Sequence, residues 1–180
     1  MVCLKVFAMS EFYDQVLQGN QIKELVKVLL EKSGYVVFPY GYENTLSGLM
    51  NLIKVKDAKK SRTVRRIKSS PDLLVFSKDR KDLLLVEVKM RKAPDEKRIL
   101  LYANRMSDYK EFWNDSVLVI VVPCGNVFYA QKAGELEIKE EYNALTDFVR
   151  LEEIFTETKE EDVSHFRNKA LEIMQRLKKE

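Results

Sequence analysis

Two carboxylates and a lysine stand beside apolar stretches of the chain, where charged side chains are unusual. Glu87 and Lys89 interrupt the aliphatic residues 83–90, which have the composition of a buried strand, and Asp72 directly precedes a second such run, residues 73–76. Taking an ionised carboxylate out of water costs free energy unless it gains a partner or a metal ion. These positions therefore indicate a functional site that depends on charged side chains.

The spacing of these residues is suited to binding a divalent metal ion. Side chains alternate across a strand, so Glu87 and Lys89 share one face, and a hairpin between the two runs brings Asp72 near them. Neighbouring carboxylates repel, and a cation between them removes the repulsion. Mg²⁺ and Mn²⁺ prefer oxygen ligands, of which the Val88 carbonyl offers one more. A lysine there can orient an attacking water or neutralise charge on a phosphate.

A simpler interpretation of the same residues stays open at this point. Glu and Lys two positions apart are also typical of the solvated face of an antiparallel sheet, and Pro71-Asp72 is a common beginning of a loop. The surroundings favour a site, because a strand start, a short polar turn, an apolar strand and a basic upstream segment occur together.

Apolar periodicity predicts that helices and strands alternate around these residues. Residues 21–33 carry apolar side chains on one helical face, and Gly34 follows as a typical stop. Short aliphatic runs predict five strands, with one hairpin between the second and third and another between the fourth and fifth. The predicted strands cover residues 35–38, 73–76, 83–90, 117–122 and 126–131.

Two further helices are predicted in the second half of the chain. One opens at Pro94 and Asp95 and ends at Asp115 and Ser116. Its apolar side carries Ile99, Ala103, Met106 and Phe112. The other covers about residues 160–179 and has an apolar stripe that docks either on the core or on a second subunit.

Composition and charge limit the class of protein. The 180 residues are 46% hydrophobic and 33% charged, which is typical of one globular domain, residues 1–180. No apolar run is long enough to span a bilayer and no secretory segment follows Met1, so we expect a cytoplasmic protein without membrane contact. Cys3 and Cys124 have no metal-binding spacing and are expected to be free thiols.

Charge is distributed unevenly although the net charge is only +3. Residues 54–68 contain eight lysines and arginines against one acid, whereas residues 151–162 contain six acids and one lysine. The basic residues belong to an insertion, about residues 43–70, with weak periodicity apart from a short helix suggested over residues 46–53. It is interpreted either as a surface that tracks phosphates or as a mobile, solvated loop.

Pro71-Asp72, fourteen residues and then Glu87-Val88-Lys89 resemble the signature of the PD-(D/E)XK superfamily, the restriction-endonuclease-like nucleases. Residues 19–37, GNQIKELVKVLLEKSGYVV, are similar to the first helix and strand of archaeal Holliday-junction resolvases. The resemblance implies an α/β fold with an αβββαβ core, in which helices flank a central mixed β-sheet. The basic insertion and the C-terminal helix are additions to that core.

The resemblance also implies roles for individual residues. Asp72 and Glu87 hold the metal, with the Val88 carbonyl as a further ligand, and Lys89 assists hydrolysis. Many members carry a glutamate on the first helix, but the matching position here is Lys23. Glu24, the next residue, is the candidate for this catalytic acid, although it lies nearly opposite the apolar face and is also typical of a solvated surface.

The predicted activity is that of a Mg²⁺- or Mn²⁺-dependent DNA endonuclease, with branched or junction DNA as the narrower substrate and a homodimer as the implied assembly. A catalytically weak nucleic-acid-binding module of the same fold is the main alternative, and an exonuclease acting on DNA ends is another. The candidate nucleic-acid contacts are basic residues of the insertion and of the segment after residue 90. They are Lys59, Lys60, Arg62, Arg65, Arg66, Lys68, Arg91 and Lys92.

Overall fold

The structure, a computed structural model, describes residues 2–41, 61–91, 93, 95, 97–101, 103–137 and 142–175. Three of the predicted nucleic-acid contacts, Lys59, Lys60 and Lys92, lie outside the described residues, as does the helix predicted over residues 46–53. No helix in the described ranges is both long and apolar enough to cross a bilayer.

Helices and strands alternate along the described chain. The helices are α1 (Val2–Lys32), α2 (Arg62–Lys68), α3 (Ala103–Phe112), α4 (Leu151–Ile154) and α5 (Glu160–Gln175). The strands are β1 (Val36–Pro39), β2 (Leu73–Phe76), β3 (Leu83–Met90), β4 (Arg98–Leu100), β5 (Val117–Val121), β6 (Phe128–Lys132), β7 (Tyr142–Ala144) and β8 (Val149–Arg150). The five strands that the sequence predicts are present, with ends shifted by one or two residues.

Six strands form a central mixed sheet in the order β1-β2-β3-β5-β6-β8. The β3 and β5 strands are parallel, and each other neighbouring pair is antiparallel. Both predicted hairpins, β2 with β3 and β5 with β6, are therefore confirmed. A parallel pair needs a crossover connection, and α3 lies within the one that joins β3 to β5.

The central strand β5 is buried on both faces because helices cover both. Val117, Val119 and Val121 belong to a hydrophobic cluster with α1 and α5. Leu118 and Ile120 point to the opposite face and belong to a second cluster with α3. The fold is thus a mixed α/β architecture in which a central mixed sheet is flanked by helices, as predicted.

Helix α1 ends in a hydrogen-bonded cap at Gly34. The N–H of Gly34 donates to the carbonyl of Glu31, and the N–H of Tyr35 donates to the carbonyl of Leu30. This pattern is a Schellman motif, which needs a residue with positive φ, and Gly34 has φ +100°. The chain can therefore turn directly from α1 into β1.

The predicted ends of two helices are wrong. Helix α1 begins at Val2 and not at residue 21, because the single interior Gly19 lowers helix stability without ending the helix. The helix predicted from Pro94 begins at Ala103, and Ile99 lies instead in β4, opposite Asn143 of β7. That pairing joins distant parts of the chain, so the local period could not reveal it. The C-terminal helix matches its prediction as far as Gln175.

The first testable prediction concerns the cap of α1. Gly34→Ala should lower the free energy of unfolding by about 1–2 kcal/mol, because a side chain disfavours positive φ. Gly19→Ala is the matched control, since a Cβ there meets no atom within 4 Å. That control should gain about 0.5–1 kcal/mol through better helix propensity. Urea unfolding measures both, and equal effects of the two substitutions would contradict the assignment of the cap.

Candidate active site

The register of β2 and β3 brings the two predicted carboxylates together. Leu73 is paired with Val86, so Asp72 and Glu87 are the next residues of the two strands in the direction of the site. Strand β2 begins only at Leu73. Beyond that residue, the side chain of Asp72 forms a hydrogen bond with β3. Its Oδ2 accepts the backbone N–H of Val88 at 3.0 Å, which fixes the carboxylate at the end of the strand. Val88 therefore contributes its N–H to the site.

Glu87 is the most deeply buried charged residue of the site, with 2% of its side chain exposed. Its Oε1 forms an ion pair with the ammonium of Lys89, as expected for residues on one strand face. Its Oε2 is buried without a hydrogen-bond partner among the described residues. Burial raises the pKa of Glu87 to about 7, opposed by Lys89 and reinforced by Asp72.

Tyr109 of α3 completes the surroundings of Glu87 and is a residue that sequence reasoning missed. The Tyr109 phenol lies close to the Glu87 carboxylate, and the Lys89 ammonium lies 5.7 Å from the centre of the Tyr109 ring. Burial and the neighbouring Glu87 raise the pKa of Tyr109, so the phenol stays protonated. The only sequence signal was its helical spacing from Met106, which indicates burial and not a site.

The structure brings Lys23 of α1, and not Glu24, to the carboxylates. Lys23 Nζ lies 2.7 Å from Asp72 Oδ1. Glu24 is paired with Lys27 at 2.8 Å, and 62% of its side chain is exposed. Glu24 is therefore placed on the surface, apart from Asp72, Glu87 and Lys89, and the helix position that faces the site carries a cation.

The site has some of the properties required for a divalent ion. Asp72 and Glu87 offer hard carboxylate oxygens, and the buried Oε2 of Glu87 lacks a partner among the described residues. No cluster of three or more His, Cys, Asp or Glu side chains occurs in the described part of the chain. The donor set therefore fits an ion such as Mg²⁺, which binds through one or two carboxylates and keeps several waters.

Part of the predicted basic surface is used within the protein. Residues 62–68 form helix α2, although the weak periodicity there had suggested a loop as one interpretation. Arg62 is paired with Glu111 of α3 at 2.9 Å, and Arg65 is paired with both Asp108 and Glu111. Their guanidinium groups also lie 5.3 and 5.4 Å from the ring centre of Phe112. These two arginines attach α2 to α3.

The remaining described cations differ in their surroundings. Arg66 and Lys68 are exposed, and the Arg66 guanidinium lies 5.4 Å from the ring centre of Trp113. Trp113 also donates from Nε1 to Ser69 Oγ at 3.2 Å, which holds the chain just before Asp72. Arg91 is half-buried, and its backbone N–H donates to the Val121 carbonyl. Arg66 and Lys68 are therefore the cations, among those predicted and described, that are exposed and form no ion pair with another described residue.

Comparisons with known proteins found a likeness among solved structures. No protein-family model matches the chain, and no curated protein matches it. Among solved structures, the chain is similar to Archaeoglobus fulgidus Hjc, a Holliday junction resolvase from an archaeal hyperthermophile. The sequences are 15% identical, the TM-score is 0.47, and the alignment covers 77% of this chain and 99% of the other.

The second testable prediction follows from the buried Glu87. Burial raises the pKa of Glu87 from 4.5 to about 7. At pH values between these two, Glu87 is therefore protonated in the folded protein and ionised in the unfolded chain. This contribution to stability is complete below the unfolded value and is lost as the pH rises through about 7. The difference between the folded and unfolded pKa values of Glu87 corresponds to about 3 kcal/mol in the free energy of unfolding.

Urea unfolding in EDTA between pH 4.5 and 8 measures this loss. Glu87→Gln is the control, since a neutral amide of similar shape cannot release a proton in this range. The free energy of unfolding of the wild type should fall relative to this variant as the pH rises. Parallel curves for the two proteins would show that Glu87 does not titrate as described.

Proposed function

We propose that the protein is a metal-dependent nuclease that hydrolyses phosphodiester bonds of DNA. The observation that carries this proposal is the meeting of Asp72, Glu87 and Lys89 at the point where β2 begins, with one buried Glu87 oxygen unpartnered among the described residues. A buried carboxylate oxygen is costly unless it gains a hydrogen bond or a cation. A metal ion is the ligand that would use both carboxylates.

The side chains of this site have distinct roles in the proposed reaction. Asp72 and Glu87 would hold the ion, and a bound Mg²⁺ or Mn²⁺ supplies Lewis acidity and an acidified water. The Lys89 ammonium lies beside Glu87, where it can stabilise negative charge that develops on a phosphate. Tyr109 lies beside the Glu87 carboxylate and shields it from water. The Val88 N–H donates a hydrogen bond to Asp72 and orients its carboxylate.

The sequence supports DNA as the substrate class. The Pro71-Asp72 and Glu87-Val88-Lys89 pattern resembles that of restriction-endonuclease-like nucleases, and the structure places the two halves on neighbouring antiparallel strands. Exposed cations on α2 suit a polyanionic ligand. Branched DNA as the preferred substrate, and a homodimer as the assembly, are parts of this proposal that rest on the resemblance.

One observation favours a second function, that of a nucleic-acid-binding module without hydrolysis. Lys23 and Lys89 together neutralise both carboxylates through ion pairs. A site whose charges are balanced in this way is stable without a metal ion. A binding module without hydrolysis would need this stability. Cleavage assays separate the two functions directly.

The third testable prediction is the loss of cleavage in site variants. Supercoiled circular, linear and four-way-junction DNA are incubated with Mg²⁺, Mn²⁺ or EDTA, and nicked or cut products are measured on gels. Asp72→Ala, Glu87→Gln and Lys89→Ala should each lower the cleavage rate by at least about 100-fold, because each removes charge from the reacting centre. Cleavage of the circle also distinguishes an endonuclease from an exonuclease, which needs a free end.

Glu24→Gln is the matched control for these variants. It removes a carboxylate next to Lys23 in the sequence that the structure places on the surface, so cleavage should stay within about twofold of the wild type. Absence of cleavage by the wild type with either metal would favour the binding module. Retained cleavage in Asp72→Ala or Lys89→Ala would refute the proposed site.

The fourth testable prediction concerns the cations of α2. Replacing Arg66 and Lys68 by Gln should weaken DNA binding and lower the salt slope of log K by up to about 1.8, since each lost phosphate contact removes about 0.9. Replacing Arg62 alone by Gln is the comparison, because Arg62 is paired with Glu111 and Arg65 still attaches α2 to α3 in that variant. The Arg62 variant should keep the slope, as measured by fluorescence anisotropy between about 50 and 300 mM salt. An equal loss of slope in the two proteins would contradict the distinction between paired and unpaired cations of α2.

A further inference from the structure

Lys23 connects helix α1 to the candidate site through an ion pair with Asp72. Its ammonium lies 2.7 Å from Asp72 Oδ1, and only 27% of the Lys23 side chain and 12% of the Asp72 side chain are exposed. Water therefore screens this pair less than a surface pair. The position is notable because α1 packs on one face of the sheet, whereas Tyr109 reaches the site from α3 on the other.

Both oxygens of Asp72 are engaged, but by partners of different mobility. Oδ2 accepts a hydrogen bond from the backbone N–H of Val88, which is fixed within strand β3. Oδ1 is held by Lys23, whose ammonium stands at the end of a flexible four-carbon stem. An ion that takes Asp72 Oδ1 as a ligand therefore competes with Lys23, whose side chain can move away, whereas the backbone donor at Oδ2 is fixed.

The local charges also indicate that Lys23 opposes the binding of a metal ion. The ammonium groups of Lys23 and Lys89 lie against Asp72 and Glu87, so the centre already contains two cations for two carboxyl groups. A divalent ion added to this arrangement would be repelled by both lysines. Lys89 is on the same strand as Glu87, but Lys23 comes from a separate helix and its side chain is partly open to solvent.

We propose that Lys23 is an internal counter-ion that occupies the cation position at Asp72, so that a divalent metal binds only when the lysine side chain moves out. This inference rests on the proposed metal-dependent function and adds a means of regulating it. The displaced ammonium needs a new anion, and a DNA phosphate at the site provides one. Metal and DNA binding are then coupled, and each raises the affinity of the other by the same factor.

Titration calorimetry with MnCl₂ tests the counter-ion directly, without measuring cleavage. Lys23→Gln and Lys23→Met remove the charge and should bind Mn²⁺ about tenfold more tightly than the wild type, within the usual range of such couplings. Lys23→Arg keeps the charge and should resemble the wild type. Lys27→Gln is the matched control, one helical turn away, where the lysine is paired with Glu24 and Glu31 and not with Asp72.

Thermal unfolding provides a second readout and shows that the variants are folded. Without metal, Lys23→Gln and Lys23→Met should melt at a lower temperature than the wild type, because Asp72 loses its ion-pair partner. With saturating Mn²⁺ they should gain more in melting temperature than the wild type does. Two neutral variants are used so that poor folding of one does not decide the result.

The outcomes separate this inference from the proposed function. Equal or weaker Mn²⁺ binding by the neutral variants, with measurable binding by the wild type, overturns the counter-ion and leaves the nuclease proposal standing. Absence of Mn²⁺ binding in all variants overturns both. Tighter binding in Lys27→Gln as well would show a general charge effect and would also overturn the specific role of Lys23.

Discussion

The hydrogen bond from the Val88 N–H to the Asp72 carboxylate is the constraint on which the candidate site depends. Strand β3 extends past the beginning of β2, and Asp72 provides the acceptor there. A buried carboxylate is tolerated because a fixed donor and an ammonium satisfy it. Once Asp72 is fixed, the antiparallel register determines that Glu87 lies beside it, and the alternation of side chains places Lys89 on the same face as Glu87.

Burial gives this arrangement its electrostatic properties. Helices on both faces exclude water from the sheet, and Tyr109 shields Glu87 from the side of α3. The low local dielectric raises the pKa of Glu87 and strengthens its interaction with Lys89. The protein thus carries a carboxyl group whose charge costs stability, and the hydrophobic clusters on the two faces of β5 offset that cost. A centre of this kind is suited to a cation, which would stabilise the charged form of Glu87.

The basic insertion shows that cationic composition and a cationic surface are different properties. Arg62 and Arg65 form ion pairs with Asp108 and Glu111, and the carboxylates and the ring of Phe112 anchor helix α2 to α3. The stretch after α2 leads directly to Asp72 and is held by the Trp113 indole. Part of the positive charge therefore orients the segment that enters the site, and Arg66 and Lys68 are the cations of α2 that remain for a polyanion.

The sequence by itself determined the features that depend on local period. Strand alternation placed Glu87 and Lys89 on one face, the polar turn indicated the β2–β3 hairpin, and the apolar runs located the five predicted strands. Tertiary structure decided which side chain of α1 faces Asp72, since neighbouring helical residues point about 100° apart and packing selected Lys23 over Glu24. It also decided the contact of Tyr109 with Glu87 and the β4–β7 pairing. These depend on residues distant in the sequence, whose proximity is fixed only when the sheet and helices pack together.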